Sequence, residues 1–205
     1  MILIGFEAWE NIRLAHAKDW LTAYRWPIYF FVAVAFWNFA GAGLFGFLIN
    51  PPIALYFMQG LNTTAVHGHT ALFGVYGMLG IGLMLFSLRA LQPGRTWKQW
   101  PLKASFWLIN IGLALMVLLS LLPIGLMQTW ASVEYGTWYA RSAEFLQTGF
   151  MNHLRWMRLF GDTTFAIGAL ILGWFVLGLL TGHSYSEQGY VSAGEASIQL
   201  RNAGD

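Results

Sequence analysis

The sequence predicts an all-α membrane protein with four transmembrane helices. Of its 205 residues, 57% are hydrophobic and 10% are charged, and the mean hydropathy is +0.54. These values are typical of integral membrane proteins rather than soluble domains. Four apolar runs are long enough to cross about 30 Å of hydrocarbon as helices. The limits of these runs predict spans at about 27–49, 64–89, 102–127 and 159–181.

The composition also excludes several classes of protein. Because the chain has no cysteine, it has no disulfide, no thiolate-held iron–sulfur cluster and no cysteine-attached heme of its own. A net charge of +2 without a basic stripe gives no indication of a nucleic-acid partner. The apolar run at the start, residues 1–5, is too short for a signal peptide.

Three regions follow from the distribution of charge. Residues 1–25 mix aromatic and charged side chains and are predicted to form an interfacial lead-in, in which His16 is solvated. Residues 26–182 form the four-helix transmembrane segment, with a kink expected at Pro123. Residues 183–205 contain Ser, Gly and Glu and are predicted to be a flexible tail, with His183 at the surface.

The loop between the second and third spans sets the predicted orientation. It carries Arg89, Arg95, Lys98 and Lys103 and no acidic residue. Since basic loops remain on the cytoplasmic side, this loop and both chain termini are predicted to be cytoplasmic. The start of the second span then lies near the outer face of the membrane.

That second span begins with Val66-His67-Gly68-His69-Thr70. His67 and His69 are two residues apart, so on a helix their side chains point about 200° apart. One shared metal ion would instead need histidines at positions i and i+4. The pair therefore predicts two separate metal or heme centres, one on each side of the helix, with Gly68 leaving room for planar groups. The alternative is that the histidines are packed side chains and the glycines serve only close helix packing.

The neighbouring residues extend this interpretation. Small side chains on the His67 side predict space for a wide group, and aromatic side chains border the His69 side. The residues concerned are Ala71, Gly74 and Met78 on the first side and Phe73, Tyr76 and Gly80 on the second. The polar oxygens of Asn62, Thr63 and Thr64 are predicted to cap the helix.

Three arginines on the predicted outer side depart from the charge rule. Arg141, Arg155 and Arg158 could bind the propionates of hemes held by the two histidines, because arginine suits bidentate carboxylate binding. Ordinary interfacial arginines are the alternative. Asp162 could interact with the helix N-terminus and with Arg158, or it could exchange hydrogen bonds or protons with a membrane-borne substrate.

The run NTTAVHGHTALFGVYGMLGIGLMLFSLR resembles the tenth helix of nitric oxide reductases, in the heme–copper oxidase superfamily. The flanking stretches WPIYFF, FWNFAGAGLFGFLINPPIALYFMQGLNTT and WASVEYGTWYARSAEFLQ are similar to the quinol-dependent type. The resemblance covers nearly the whole chain. It implies a partial subunit I bundle, the C-terminal part of the catalytic subunit.

The resemblance also implies the roles of individual residues. His67 would be the proximal ligand of the high-spin, catalytic heme, and His69 an axial ligand of the low-spin heme. An acid at the position of Asp162 would help to bind quinol. The reaction would reduce two NO to N₂O and water in the bacterial inner membrane, using two b-type hemes and a non-heme iron.

The chain is shorter than the catalytic subunit of the family it resembles. The non-heme iron ligands and the second axial histidine have no counterpart in it, so further N-terminal helices or a companion chain are the expected partners, together with quinol, NO and the lipid bilayer. The chain alone is not expected to turn over NO. Two alternatives remain: a segment of a heme–copper oxygen reductase, or a non-catalytic four-helix heme-binding protein. For the last of these, His153 is the one further candidate ligand near the outer face.

Overall fold

Four long helices dominate the computed structural model, which describes residues 6, 9, 10, 13, 23–92 and 94–186. They are α1 (Arg25–Ile49), α3 (Asn62–Ala90), α4 (Gln99–Tyr135) and α6 (Gly149–Thr181). Two short helices, α2 (Pro52–Met58) and α5 (Ala143–Leu146), lie in the connections. All four long helices are long and apolar enough to cross a membrane, so the predicted fold class is confirmed. Within the described residues, the β-structure amounts to one bridge, between Trp97 and Tyr185.

Helices α4 and α6 extend beyond the apolar runs that predicted them. Helix α4 continues to Tyr135, whereas the predicted span ends near 127, and α6 begins at Gly149 rather than near 159. The reason is that a hydrogen-bonded helix does not have to stop where hydrocarbon ends. A π-helical segment, Val117–Leu121, directly precedes the turn that contains Pro123. Because proline cannot donate a backbone hydrogen bond, this widened turn lies where the kink was predicted.

Helix α1 runs parallel to α4. At the end where both helices begin, Trp26 Nε1 donates to Gln99 Oε1 over 2.7 Å, and further along Trp37 Nε1 donates to Asn110 Oδ1 over 2.9 Å. Trp26 and Trp37 are both buried. These two indole groups therefore satisfy their polar atoms while their rings build the core.

Helix α3 runs antiparallel to α1, and α6 antiparallel to α4. A Cβ added at Gly82 would lie 2.7 Å from Phe31, and one added at Gly161 would lie 2.5 Å from the backbone nitrogen of Met116. Small residues at these crossings let the backbones approach closely, as is common in membrane bundles. The result is an up–down four-helix arrangement.

Residues 182–186 fold back against the loop that precedes α4. Gly182 ends α6 in the left-handed conformation (φ +86°). Lys98 N then donates to Ser184 O over 2.9 Å, and Ser184 Oγ donates to Phe175 O over 2.8 Å. Residues 183–186, which were predicted to begin a flexible tail, are therefore held against the bundle by hydrogen bonds. The remainder of that tail, and most of the predicted lead-in 1–25 with His16, lie outside the described residues.

Candidate functional site

His67 lies on α3 and faces α1. Its Nδ1 is 3.0 Å from the carbonyl oxygen of Gly41. Because a carbonyl only accepts, Nδ1 carries the proton and Nε2 keeps a free lone pair. A backbone carbonyl that holds Nδ1 in this way is the usual support for a metal-ligating histidine. His67 is thus oriented for ligation through Nε2.

The backbone below the His67 ring is made of glycine. A Cβ added at Gly46 would lie 3.0 Å from Cε1 of His67. Gly41 packs against Thr70, the first residue after the histidine pair, and leaves no room for a Cβ. Both glycines belong to α1, so this helix sets the position of the imidazole.

His69 lies on the other side of α3 and faces α6. Its Nδ1 is 2.9 Å from the carbonyl oxygen of Ala65, one helical turn back. Its Nε2 accepts a hydrogen bond from Nη2 of Arg158 over 3.0 Å. The His69 ring also lies 5.8 Å from the ring of Phe73. The two histidines therefore contact different helices, as expected from their predicted separation of about 200°.

Arg158 connects His69 to Asp162. Its Nε donates to both carboxylate oxygens, over 3.1 and 3.2 Å, and both side chains are about half-buried. Asp162 lies well inside α6, since this helix starts at Gly149. The helix-end interpretation of Asp162 is therefore wrong, because the effect of the dipole fades within the first turn. The predicted pairing with Arg158 at i, i+4 is present.

The other predicted residues lie apart from the histidine pair. Arg155 is exposed and forms no hydrogen bond or ion pair among the described residues. Arg141 donates to the carbonyl of Gln59. His153 is exposed and bonds the carbonyl of Gly149 in its own helix over 2.6 Å. His183 is exposed beside Trp174, as predicted.

The predicted space on the His67 side is filled by α1. A Cβ added at Gly74 would lie 2.6 Å from the Trp37 side chain, and Met78 is fully buried. Here the packing interpretation of the glycines is correct, because large aromatic side chains of α1 fill the gaps on α3. At Gly68, which was predicted to leave room, and at Gly80 on the His69 side, no neighbouring atom lies within 4 Å of an added Cβ.

The caps of α3 also differ from the prediction. Asn62 N donates to Oε1 of Gln128, a buried residue of α4, over 2.9 Å. The hydroxyl of Thr64 accepts from Gly60 N over 3.2 Å, and no side chain of α3 caps its own start. The cap comes from another helix, which a local sequence pattern cannot show.

Sequence reasoning also missed two π-helical segments beside the histidines, Asn38–Phe45 in α1 and Thr70–Gly77 in α3. Such segments are rare and frequently occur at functional sites. The first contains Gly41, whose carbonyl holds His67, and the second begins directly after His69. The only signal in the sequence was the glycine cluster of α1, Gly41, Gly43 and Gly46.

The donor set fits a heme better than a bare metal ion. Among the described residues, no group of three or more His, Cys, Asp or Glu side chains could hold a metal ion. A porphyrin supplies four nitrogen ligands itself, so its iron needs only one or two protein side chains. Each of the two imidazoles keeps Nδ1 on a carbonyl, which leaves Nε2 as the ligating atom. At His69 this atom accepts from Arg158, whose guanidinium would have to turn away for an iron to bind. The residue types therefore suit axial heme ligation; the open positions lie at Gly68 and Gly80, whereas α1 fills the His67 side at Gly74.

Comparison with known proteins identifies the family of this chain. Residues 10–164 match the family described as cytochrome c and quinol oxidase polypeptide I. The chain belongs to this family. It is thus a segment of heme–copper oxidase type, and its four helices are consistent with part of a subunit I bundle. The family is one of multi-pass membrane oxidoreductases.

One relative is a subunit of the nitric oxide reductase from Stutzerimonas stutzeri. It is 30% identical over 96 residues, which cover 45% of this chain and 20% of the relative. The chain thus matches about one fifth of the length of this relative.

Proposed function

We propose that this oxidase-family chain is the heme-ligating C-terminal segment of a quinol-dependent nitric oxide reductase. His67 would ligate the high-spin heme iron at the catalytic site, and His69 the low-spin heme iron. One observation carries the proposal: the two imidazoles face opposite sides of α3, each with Nδ1 held by a carbonyl. The similarity to the nitric oxide reductase from Stutzerimonas stutzeri supports the choice of reaction.

In this reaction two NO are reduced to N₂O and water with two electrons and two protons from quinol. The two b-type hemes and the non-heme iron would supply the redox chemistry. The chain itself orients the ligands. Since His67 and His69 are separated by one residue, the route for electrons between the two sides is only one helix wide. The π-helical segments and Gly46 hold the geometry on the His67 side.

The polar residues beside His69 would serve the low-spin side. Arg158 donates to the ligating nitrogen of His69 in this structure and would turn to a heme propionate when iron binds there. Arg155, exposed about one helical turn earlier, would bind a propionate as well. Asp162 would bind the quinol, with its carboxylate held in position by Arg158. A half-buried carboxylate on an apolar helix suits a hydrogen bond to a quinol hydroxyl.

The remaining parts of the enzyme would come from elsewhere. The described residues contain no ligand group for a non-heme iron, and His153 is an exposed residue bonded within its own helix. Preceding helices of the same enzyme, or a companion chain, would supply the iron ligands and the second axial histidine. The assembly would lie in the bacterial inner membrane with both termini of this chain in the cytoplasm.

The test uses the chain assembled with those preceding helices, with absorbance and electron paramagnetic resonance spectra as readouts. His69→Ala should abolish the low-spin heme signal, and His67→Ala should abolish the high-spin heme that binds NO. His183→Ala is the matched control, and it should keep both signals because His183 is exposed and remote. If His67→Ala and His69→Ala each retain both signals, the ligand assignment is wrong.

A second candidate is an oxygen reductase, which the description of the matching family favours. Gas consumption by the assembled enzyme separates the two reactions: a nitric oxide reductase consumes NO and contains no copper, whereas an oxygen reductase consumes O₂ and contains copper. If neither gas is consumed while the isolated chain retains heme, the non-catalytic heme-binding alternative is favoured.

A further inference from the structure

A groove of about 460 Å³ lies between α1 and α4, at the end of the bundle where both helices begin. It is remote from the histidine pair, which lies near the opposite end of α1. Its size is within the range of small-molecule sites, about 300–1,000 Å³. The lining consists of two basic and five apolar or aromatic side chains: Arg25, Lys103, Trp26, Tyr29, Val32, Phe106 and Trp107.

The two basic side chains of the groove have no acidic partner among the described residues. Lys103 is exposed and forms no hydrogen bond or ion pair within the described part of the chain. Arg25 has one long contact, 3.4 Å to Oε1 of Gln99, and its guanidinium lies 5.2 Å from the Trp26 ring. The acidic residues between 23 and 186 are Glu134, Glu144 and Asp162, and all of them belong to other parts of the fold. The described charges facing the groove are therefore both positive.

Other basic residues at the same end are already engaged. The Arg89 guanidinium donates to the carbonyl of Arg95 and lies 5.2 Å from the Trp97 ring. The Arg95 guanidinium lies 4.7 Å from the Tyr185 ring. These arginines stabilise the loop and the returning residues 182–186. Lys98 is also at this end, but it lies outside the groove lining, so the positive charge that faces the groove comes from Arg25 and Lys103.

The rest of the groove is apolar and follows the helices into the membrane. From Arg25 to Val32 helix α1 rises about 10 Å at 1.5 Å per residue. Trp107 is 53% exposed and lines the groove. Tyr29 and Phe106 pack together beside it, with 6.0 Å between their ring centroids. Trp and Tyr are enriched at the level of lipid headgroups. Cationic groups at the mouth and an apolar wall below match the two halves of a phospholipid.

We propose that this groove binds an anionic phospholipid. The phosphate lies between Arg25 and Lys103, and the upper part of one acyl chain lies along Tyr29, Phe106 and Trp107. The lipid is expected to be anionic because each basic side chain near the membrane surface strengthens the binding of anionic headgroups. A free phosphate would leave the aromatic wall without a partner. The proposal is independent of the heme chemistry.

The test is lipid binding to the full chain, purified in neutral detergent and measured by native mass spectrometry against added phosphatidylglycerol or phosphatidylcholine. Phosphatidylglycerol should bind more tightly. Arg25→Gln and Lys103→Gln should each weaken its binding about fivefold. Lys98→Gln is the matched control, since Lys98 lies at the same end but outside the groove lining, and its affinity should be unchanged.

A second measurement locates the acyl chain. Phosphatidylglycerol with brominated chains should quench tryptophan fluorescence, and Trp107→Phe should reduce the quenched amplitude while leaving the thermal unfolding temperature in detergent unchanged. The proposal fails if Lys98→Gln weakens binding as much as Lys103→Gln, which would indicate diffuse surface attraction. It also fails if both lipids bind equally, or if inorganic phosphate competes as tightly as the lipid.

Discussion

Nη2 of Arg158 lies 3.0 Å from Nε2 of His69, and Nε of the same guanidinium donates to both carboxylate oxygens of Asp162. Because a guanidinium only donates, His69 must accept through Nε2 and is therefore the tautomer protonated at Nδ1. One arginine thus connects a candidate heme ligand on α3 with the only acidic residue of α6. This contact is the basis of the first prediction.

Asp162→Asn should weaken quinol oxidation by the assembled enzyme while both heme signals remain. The loss of a hydrogen bond to a charged group corresponds to roughly tenfold or more in kcat/KM. Steady-state quinol kinetics and heme spectra check this outcome. Glu144→Gln is the control, since it removes an exposed carboxylate that lies outside α6. Unchanged quinol kinetics in Asp162→Asn would leave only the pairing with Arg158 as the role of this residue.

Gly41→Ala should destabilise the bundle and disturb His67. The added Cβ has no room against Thr70, so α1 and α3 must separate, at a cost of about 1–3 kcal/mol. Gly80→Ala is the control in α3, because no neighbouring atom lies within 4 Å of its added Cβ. The thermal unfolding temperature in detergent should fall for the first variant and be unchanged or rise for the second. Equal unfolding temperatures would contradict the close contact.

Gln128→Ala should loosen the start of α3. The variant leaves the amide of Asn62 and the carbonyl of Ala140 without their present partners, at a cost of about 1–3 kcal/mol for each buried group left unsatisfied. Hydrogen exchange at the Asn62 amide should accelerate. The exposed Gln147→Ala variant should leave this exchange unchanged, and the same rate in both variants would show that Gln128 is not the cap.

Gly178→Ala should release residues 182–186 from the loop before α4. The added Cβ would overlap Ser184, whose carbonyl accepts from Lys98 N. Faster hydrogen exchange at the Lys98 amide checks this result. Gly173→Ala is the control in the same helix, since a Cβ there meets no neighbouring atom within 4 Å. If the Lys98 amide exchanges as slowly in Gly178→Ala as in the unaltered protein, the hydrogen bond to Ser184 has persisted and the prediction is wrong.

The site could be predicted from the sequence only in part. The opposite directions of His67 and His69 follow from helical geometry alone, and so does the pairing of Arg158 with Asp162. The role of Gly74 could not be predicted, because a small residue leaves space equally for a cofactor or for Trp37. The same limit applies to Gln128, which caps α3 from a position far along the chain.

The sequence by itself determined four apolar helices, a membrane location and the spacing of the histidine pair, because hydropathy and helical periodicity are properties of neighbouring residues. The tertiary structure alone decided which helix each imidazole meets. It placed the Gly41 carbonyl against His67 and the Arg158 guanidinium against His69. These contacts join residues that are distant in the chain, and they depend on how closely the glycine-lined helices approach one another.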